Sequence, residues 1–103
     1  MARPRVELQQ ILENILGSRN VYFQPPENLK LKYPCIIYEL TGVESVDADN
    51  TSYLNYKRYT VTCISGDPDT VIPDIILESI KHSSFDRRFV TDNLYHDALT
   101  IYF

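Results

Sequence analysis

The chain has 103 residues, of which 44% are hydrophobic and 23% are charged, which suits one soluble globular domain and leaves no room for a second. Its apolar runs are far shorter than the ~20 residues that span a bilayer, and its first residues lack the apolar core of a signal peptide, so we expect folding in a cytoplasm. A formal net charge of −4 argues against a protein that grips nucleic acid through its phosphates, because that needs a concentrated basic face.

The first predicted element is an amphipathic helix over residues 5–17. Pro4 suits the first helical turn, and Gly17 supplies a stop at positive φ. A short strand over residues 21–23 follows, and a Pro-Pro step ends it because proline cannot continue a ladder. The apolar side chains of the helix recur at the spacing of a single stripe: Leu8, Ile11, Leu12, Ile15 and Leu16.

Two long strands are predicted over residues 34–46 and 53–65, joined by a turn centred near Asp49. We favour a register in which paired residue numbers have an odd sum, about 97 to 99. This register keeps Cys35 and Cys63 from facing each other, and we expect both to be buried, reduced thiols. It places two apolar sets on one face of the hairpin: Ile36, Tyr38 and Leu40 with Tyr59, Val61 and Cys63.

This hairpin is longer than the core requires. Beyond Thr41 and Lys57 it continues for roughly six residues per arm, about 20 Å at ~3.3 Å per residue. An isolated two-stranded ribbon is marginal in water, and an exposed apolar patch usually marks an interaction site. We therefore predict that the outer hairpin is an arm that lies on another subunit, through the apolar residues Val43, Val46, Tyr53, Leu54 and Tyr56.

A second helix is predicted over residues 71–82. Thr70 is a suitable N-cap, and Pro73 fits the third helical position because the N–H there is unpaired anyway. His82 in the last turn suits the negative end of the helix dipole. The stripe expected to be buried is Ile72, Ile75, Ile76 and Ile80.

The chain closes with a predicted hairpin around a two-residue turn, Asp92-Asn93. This turn pairs Arg88 with Asp97 and Phe89 with His96. The last strand is strongly apolar, so we expect Tyr102 and Phe103 to be fixed in a sheet or an interface. The element order is α-β-β-β-α-β-β, which predicts a single α+β domain over residues 1–103, with two helices on one face of an antiparallel sheet and a long protruding hairpin.

No residue pattern indicates catalysis. His96 and Asp97 are adjacent, but strand neighbours point to opposite faces and cannot act on one substrate atom together. GDPD is too acidic to hold a phosphate and is better explained as a helix start. We expect no catalytic residue and no cofactor, so we do not interpret the chain as an enzyme.

Two binding sites remain as weaker alternatives. The acidic group Glu44, Asp47 and Asp49 lacks the calcium-loop pattern and its glycine, and no cysteine or histidine spacing suits zinc. The tyrosines 53, 56 and 59 could stack on bases, but without a basic groove, packing in a core or interface explains them better. We therefore expect no metal site and no specific nucleic-acid site.

Three segments carry a resemblance that covers nearly the whole chain. The most specific runs are NVYFQPPENLKLKYP, the strand KRYTVT leading to DPD, and FDRRFVTDNLYHD. In these the chain resembles small structural proteins from the head–tail morphogenesis region of long-tailed bacteriophages. Members are described as minor capsid, head–tail joining, tail terminator or tail completion proteins.

The resemblance implies a virion protein at the head–tail junction, assembled in the host cytoplasm as a ring, typically a hexamer. Such a ring ends tail-tube polymerisation and contacts the tail tube protein and the head–tail connector proteins. DNA would pass through it without specific binding, helped by an acidic lumen. The alternatives are a stopper or other neck component and, less favoured, a small phage inhibitor of a host enzyme.

Overall fold

A computed structural model of the chain describes residues 4–46 and 54–103, with the side chains of residues 44–46 and 54–56 left out. These ranges contain two helices and five strands in the predicted order, so the α+β class is confirmed. The helices are α1 (Arg5–Leu16) and α2 (Ile72–Ser79). The strands are β1 (Val21–Phe23), β2 (Cys35–Val46), β3 (Leu54–Ser65), β4 (Ser83–Thr91) and β5 (Leu94–Tyr102).

The five strands form one sheet in the order β1-β2-β3-β5-β4, which puts β1 and β4 at opposite edges. β1 runs parallel to β2, whereas the other three pairs are antiparallel. The expectation of a wholly antiparallel sheet is therefore wrong. A parallel pair needs a crossover connection, which returns the chain to the end of the sheet where the first strand began. Residues 24–34 provide this connection without a helix.

The helix ends differ in detail from the prediction. α1 ends as expected at Gly17, which has φ 79° and donates its N–H to the Glu13 carbonyl at 2.9 Å. Pro4 is the N-cap of α1 and does not lie in its first turn. α2 begins after Val71, although the Thr70 hydroxyl accepts a 3.4 Å hydrogen bond from the Ile72 N–H.

The prediction for the end of α2 is wrong. Ile80 is already extended, with φ −111° and ψ 114°, and its carbonyl accepts a 2.6 Å hydrogen bond from the Ser83 hydroxyl. His82 therefore lies outside the helix, next to the start of β4. It is not in the last helical turn, from which it was expected to interact favourably with the helix dipole.

The inner hairpin has the predicted register. Ile36 lies opposite Cys63, Tyr38 opposite Val61 and Leu40 opposite Tyr59. A bulge at Thr41 then shifts the pairing by one residue, so that Gly42 faces Arg58. The arginine holds the bulge, since its Nη2 donates to the Thr41 carbonyl at 3.0 Å and its own carbonyl accepts from the Thr41 hydroxyl at 3.1 Å.

Both helices cover the same face of the sheet, and one hydrophobic core lies between the helices and this face. Tyr38 is central to it: its hydroxyl donates to Gln9 and accepts a 2.9 Å hydrogen bond from Arg5. Leu40 is exposed although it belongs to the predicted apolar face. The buried helix residues are Leu8, Leu12, Pro73 and Ile76, joined by the C-capping Ile80; the buried strand residues include Ile36, Tyr38, Tyr59, Val61, Leu99 and Ile101.

The connection over residues 24–34 lies on the other, helix-free face at the β1 edge. Leu29 and Leu31 line a hollow there together with Ile37. The Lys32 N–H donates to the Tyr22 hydroxyl at 3.4 Å, and Asn20 donates to the Pro34 carbonyl at 3.4 Å. The segment is thereby held against the sheet.

Candidate interaction surfaces

The outer hairpin extends beyond the sheet as a two-stranded ribbon. β5 ends at Tyr102, opposite Arg58, so among the described strands the part of β3 before Lys57 pairs with β2 alone. The pairing continues from Val43 with Lys57 to Val46 with Leu54. The structure is elongated, with extents of 50, 26 and 22 Å.

The predicted contact residues of this ribbon are only partly described. Val43 is 62% exposed. Val46, Leu54 and Tyr56 lie on paired backbone, but their side chains, and the whole of Tyr53, fall outside the described residues. That these side chains form an apolar arm stays a prediction.

The two terminal residues are fixed in the subunit itself. The Tyr102 N–H donates to the His82 carbonyl at 2.8 Å, and Phe103 exchanges hydrogen bonds of 2.9 and 3.2 Å with the Lys57 backbone. Phe103 is only 4% exposed and belongs to the core. Of the two alternatives predicted for Phe103, a sheet or an interface with a neighbour, its buried ring and its bonds to β3 therefore favour the sheet. Tyr102 is half-buried.

Arg88 and Asp97 form a two-point ion pair across β4 and β5, which are paired as predicted. Nε of the arginine lies 2.6 Å from Oδ1 and Nη2 lies 3.1 Å from Oδ2. Nη1 donates to the Pro68 carbonyl at 2.8 Å. The hydrogen bond to Asp97 raises the pKa of Arg88. One guanidinium thus ties the loop before α2 to the sheet.

A cavity of about 670 Å³ opens above this pair, between α2 and the β4 edge. Pro73, Leu77 and Phe85 give it apolar walls, and Asp69 and Asp74 also line it. Because Arg88 and Asp97 neutralise each other, the remaining charge of the lining is negative. We call it the acidic pocket. Its acidic and aromatic parts, GDPDT and FDRR, are far apart in the sequence, and only the packing of α2 on β4 joins them.

His96 and Asp97 point to opposite faces, as predicted. Asp97 is fully buried, whereas the His96 ring stacks on Phe89 with centroids 4.8 Å apart. Tyr59 is a core residue, 5.9 Å from the Tyr38 ring centroid, and so cannot stack on a base.

Both cysteines are free and buried. Burial raises the pKa of Cys35 to about 11. Burial, with the charge of Asp97 as a second cause, raises the pKa of Cys63 to about 12. The thiolate is the nucleophile and metal ligand, so neither side chain is suited to those roles at neutral pH.

Within residues 4–46 and 54–103, no three side chains of His, Cys, Asp or Glu lie together as metal ligands would. The acidic group Glu44, Asp47 and Asp49 falls outside the described side chains. Among the described helices, none has the length and apolar character needed to cross a bilayer. No protein-family model matches the chain, and no curated protein matches its sequence.

Proposed function

We propose that the chain is a structural virion protein of a long-tailed bacteriophage. Copies of it form a ring, typically a hexamer, at the head-proximal end of the tail tube. The ring ends tube polymerisation, binds the tail tube protein below and the head–tail connector above, and lets DNA pass. The proposal rests on the sequence resemblance and on one structural observation, the ribbon of β2 and β3.

The ribbon supports the proposal because it has no evident use inside one subunit. Between Gly42 and Val46 it pairs with no third strand of the described part of the chain, and Val43 is largely exposed there. A two-stranded ribbon of this kind is marginally stable alone. A neighbouring subunit that covers it would offset the exposure, and in a closed ring every ribbon is covered.

Charge supports passage of DNA without binding. The net charge of −4 gives each ring a large negative total. Carboxylates that face the lumen repel phosphate, so DNA slides instead of being held. The buried, protonated cysteines and the divided His96–Asp97 pair fit a protein whose role is assembly.

The test is deletion of the coding sequence from the phage that carries it, followed by electron microscopy of lysates and complementation with the intact chain. We expect tails of uncontrolled length that do not join heads. Tails of normal length that still fail to join heads would favour a stopper instead. If the deletion phage forms normal virions but no longer inhibits a host enzyme that the parent phage inhibits, the proposal is contradicted and the inhibitor alternative is favoured.

A further inference from the structure

The connection between β1 and β2 carries a basic segment, residues 29–34 (LKLKYP). Lys30 and Lys32 are exposed, and Leu29 and Tyr33 are exposed large hydrophobic side chains between and beside them. Its backbone is hydrogen-bonded at Lys32 to the Tyr22 hydroxyl of β1 and at Pro34 to the side chain of Asn20. It lies at the β1 edge, on the helix-free face.

The acidic pocket lies at the opposite place in the subunit. It is at the β4 edge, on the face covered by the helices. Phe85 on its wall is 46% exposed, although it is aromatic and lies in a strand. Its composition is the complement of the basic segment: apolar walls with two carboxylates against apolar side chains with two ammonium groups.

We infer that the basic segment of one copy docks in the acidic pocket of the next copy. The inference rests on the proposed ring and names the surfaces that build it. Lys30 and Lys32 pair with Asp69 and Asp74, while Leu29 or Tyr33 covers Phe85.

The positions of the two surfaces determine how copies are arranged. They lie on opposite edges and opposite faces of one sheet. In the assembly, the β1 edge of one copy therefore lies over the β4 edge of the next copy. In a pair of copies joined in this way, one pocket and one basic segment remain open. The contact is therefore head-to-tail and repeats from copy to copy, which closes into a ring when the rotation per copy divides a full turn.

Charge reversal tests the contact on the full chain. Lys30→Glu with Lys32→Glu, or Asp69→Lys with Asp74→Lys, should each abolish association, because like charges then meet at the contact. The four changes together, or an equimolar mixture of the two double variants, should restore it. Sedimentation velocity at low ionic strength measures the mass, and circular dichroism checks that each variant is folded.

Two control variants carry the same change of net charge elsewhere on exposed positions. Arg19→Glu with Lys81→Glu matches the first double variant, and Glu7→Lys with Glu78→Lys matches the second. Both controls should associate like the unchanged chain. An unchanged chain that stays monomeric, controls that dissociate equally, or a combined variant that is not rescued would each overturn the inference.

The outcomes separate this inference from the proposed function. Rings that respond to charge reversal but leave tail length unaffected in the phage would support the contact and contradict the terminator role. Normal control of tail length by both double variants would contradict the contact and leave the terminator role standing.

Discussion

Arg88 and Asp97 are a pair with unequal surroundings: the arginine side chain is 36% exposed and the aspartate side chain only 1%. If the arginine is removed, a carboxylate stays in the protein interior without its partner. If the aspartate charge is removed, a guanidinium stays where water can reach it. The two substitutions should therefore have different consequences for stability.

We predict that Arg88→Met lowers the melting temperature by roughly 10 °C and by more than Asp97→Asn does. The double change Arg88→Met with Asp97→Leu should recover much of the loss, since it removes both charges. Calorimetry at neutral pH measures the three values. Equal losses for the two single variants would contradict the assignment of the burial cost to Asp97.

The ribbon prediction separates folding from assembly. Replacing Tyr53 and Leu54 with serine, or Val43 with serine, should change the unfolding free energy by only ~0.5 kcal/mol, as surface changes usually do. Assembly should suffer far more, because anchors buried at an interface commonly contribute ~2 kcal/mol or more each. Calorimetry on the subunit and electron microscopy of tails give the two readouts.

A core variant is the control for that experiment. Leu12→Ala removes a fully buried side chain and should cost ~3 kcal/mol of unfolding free energy. The arm prediction fails if the serine variant at Tyr53 and Leu54 loses as much unfolding free energy as Leu12→Ala while its folded fraction still forms normal tails. In that case these two residues belong to a core and the arm does not exist.

The cysteines should give a pH dependence of stability on the alkaline side. Their folded pKa values, about 11 and about 12, lie above the pKa of 9.0 for an unperturbed cysteine thiol. Their contribution is thus fully present below pH ~9 and is lost as the pH rises through the folded values, because only the unfolded chain then releases the protons. The raised pKa values of Tyr38 and Tyr59 act in the same direction.

Urea unfolding between pH 7 and 11 measures this loss. The variant Cys35→Ala with Cys63→Ala should show a shallower decline than the unchanged chain. Thiol titration should find both groups after unfolding under non-reducing conditions and almost none in the native state at pH 8. Two fast-reacting native thiols would contradict their burial.

The turn of the last hairpin offers a further test. Asp92 and Asn93 have φ 54° and 62°, the left-handed conformation that asparagine and glycine tolerate. Asn93→Val should destabilise the chain by ~1–2 kcal/mol, since a branched Cβ is strained there. Asn93→Gly, the matched control, should be neutral or slightly stabilising in urea unfolding. Similar losses for both variants would mean that the asparagine side chain, not its backbone, matters.

Local patterns predicted much of this fold. The stripe of α1, the Asp92-Asn93 turn and the pairing of Arg88 with Asp97 follow from periods and turn chemistry that lie close together in the sequence. The inner register followed from keeping Ile36 and Tyr38 on the buried face. These features depend on neighbouring residues, so they can be read without the rest of the molecule.

The failures depend on distant contacts. The direction of β1 is determined by where residues 24–34 cross the sheet, and the bulge at Thr41 by an arginine on the facing strand. α2 stops before His82 because the chain turns into β4. The acidic pocket was missed for the same reason, since its walls meet only after α2 has packed on the sheet.

β4 is a long strand at the edge of the sheet, and this position bears on aggregation. Its outward backbone groups could template another strand and so start a fibre. The strand counters this with Asp86, Arg87 and Arg88 in succession and with a bulge at Asp86, where the carboxylate accepts a 2.7 Å hydrogen bond from the Thr100 hydroxyl. An irregular, charged border offers a poor template for open-ended growth.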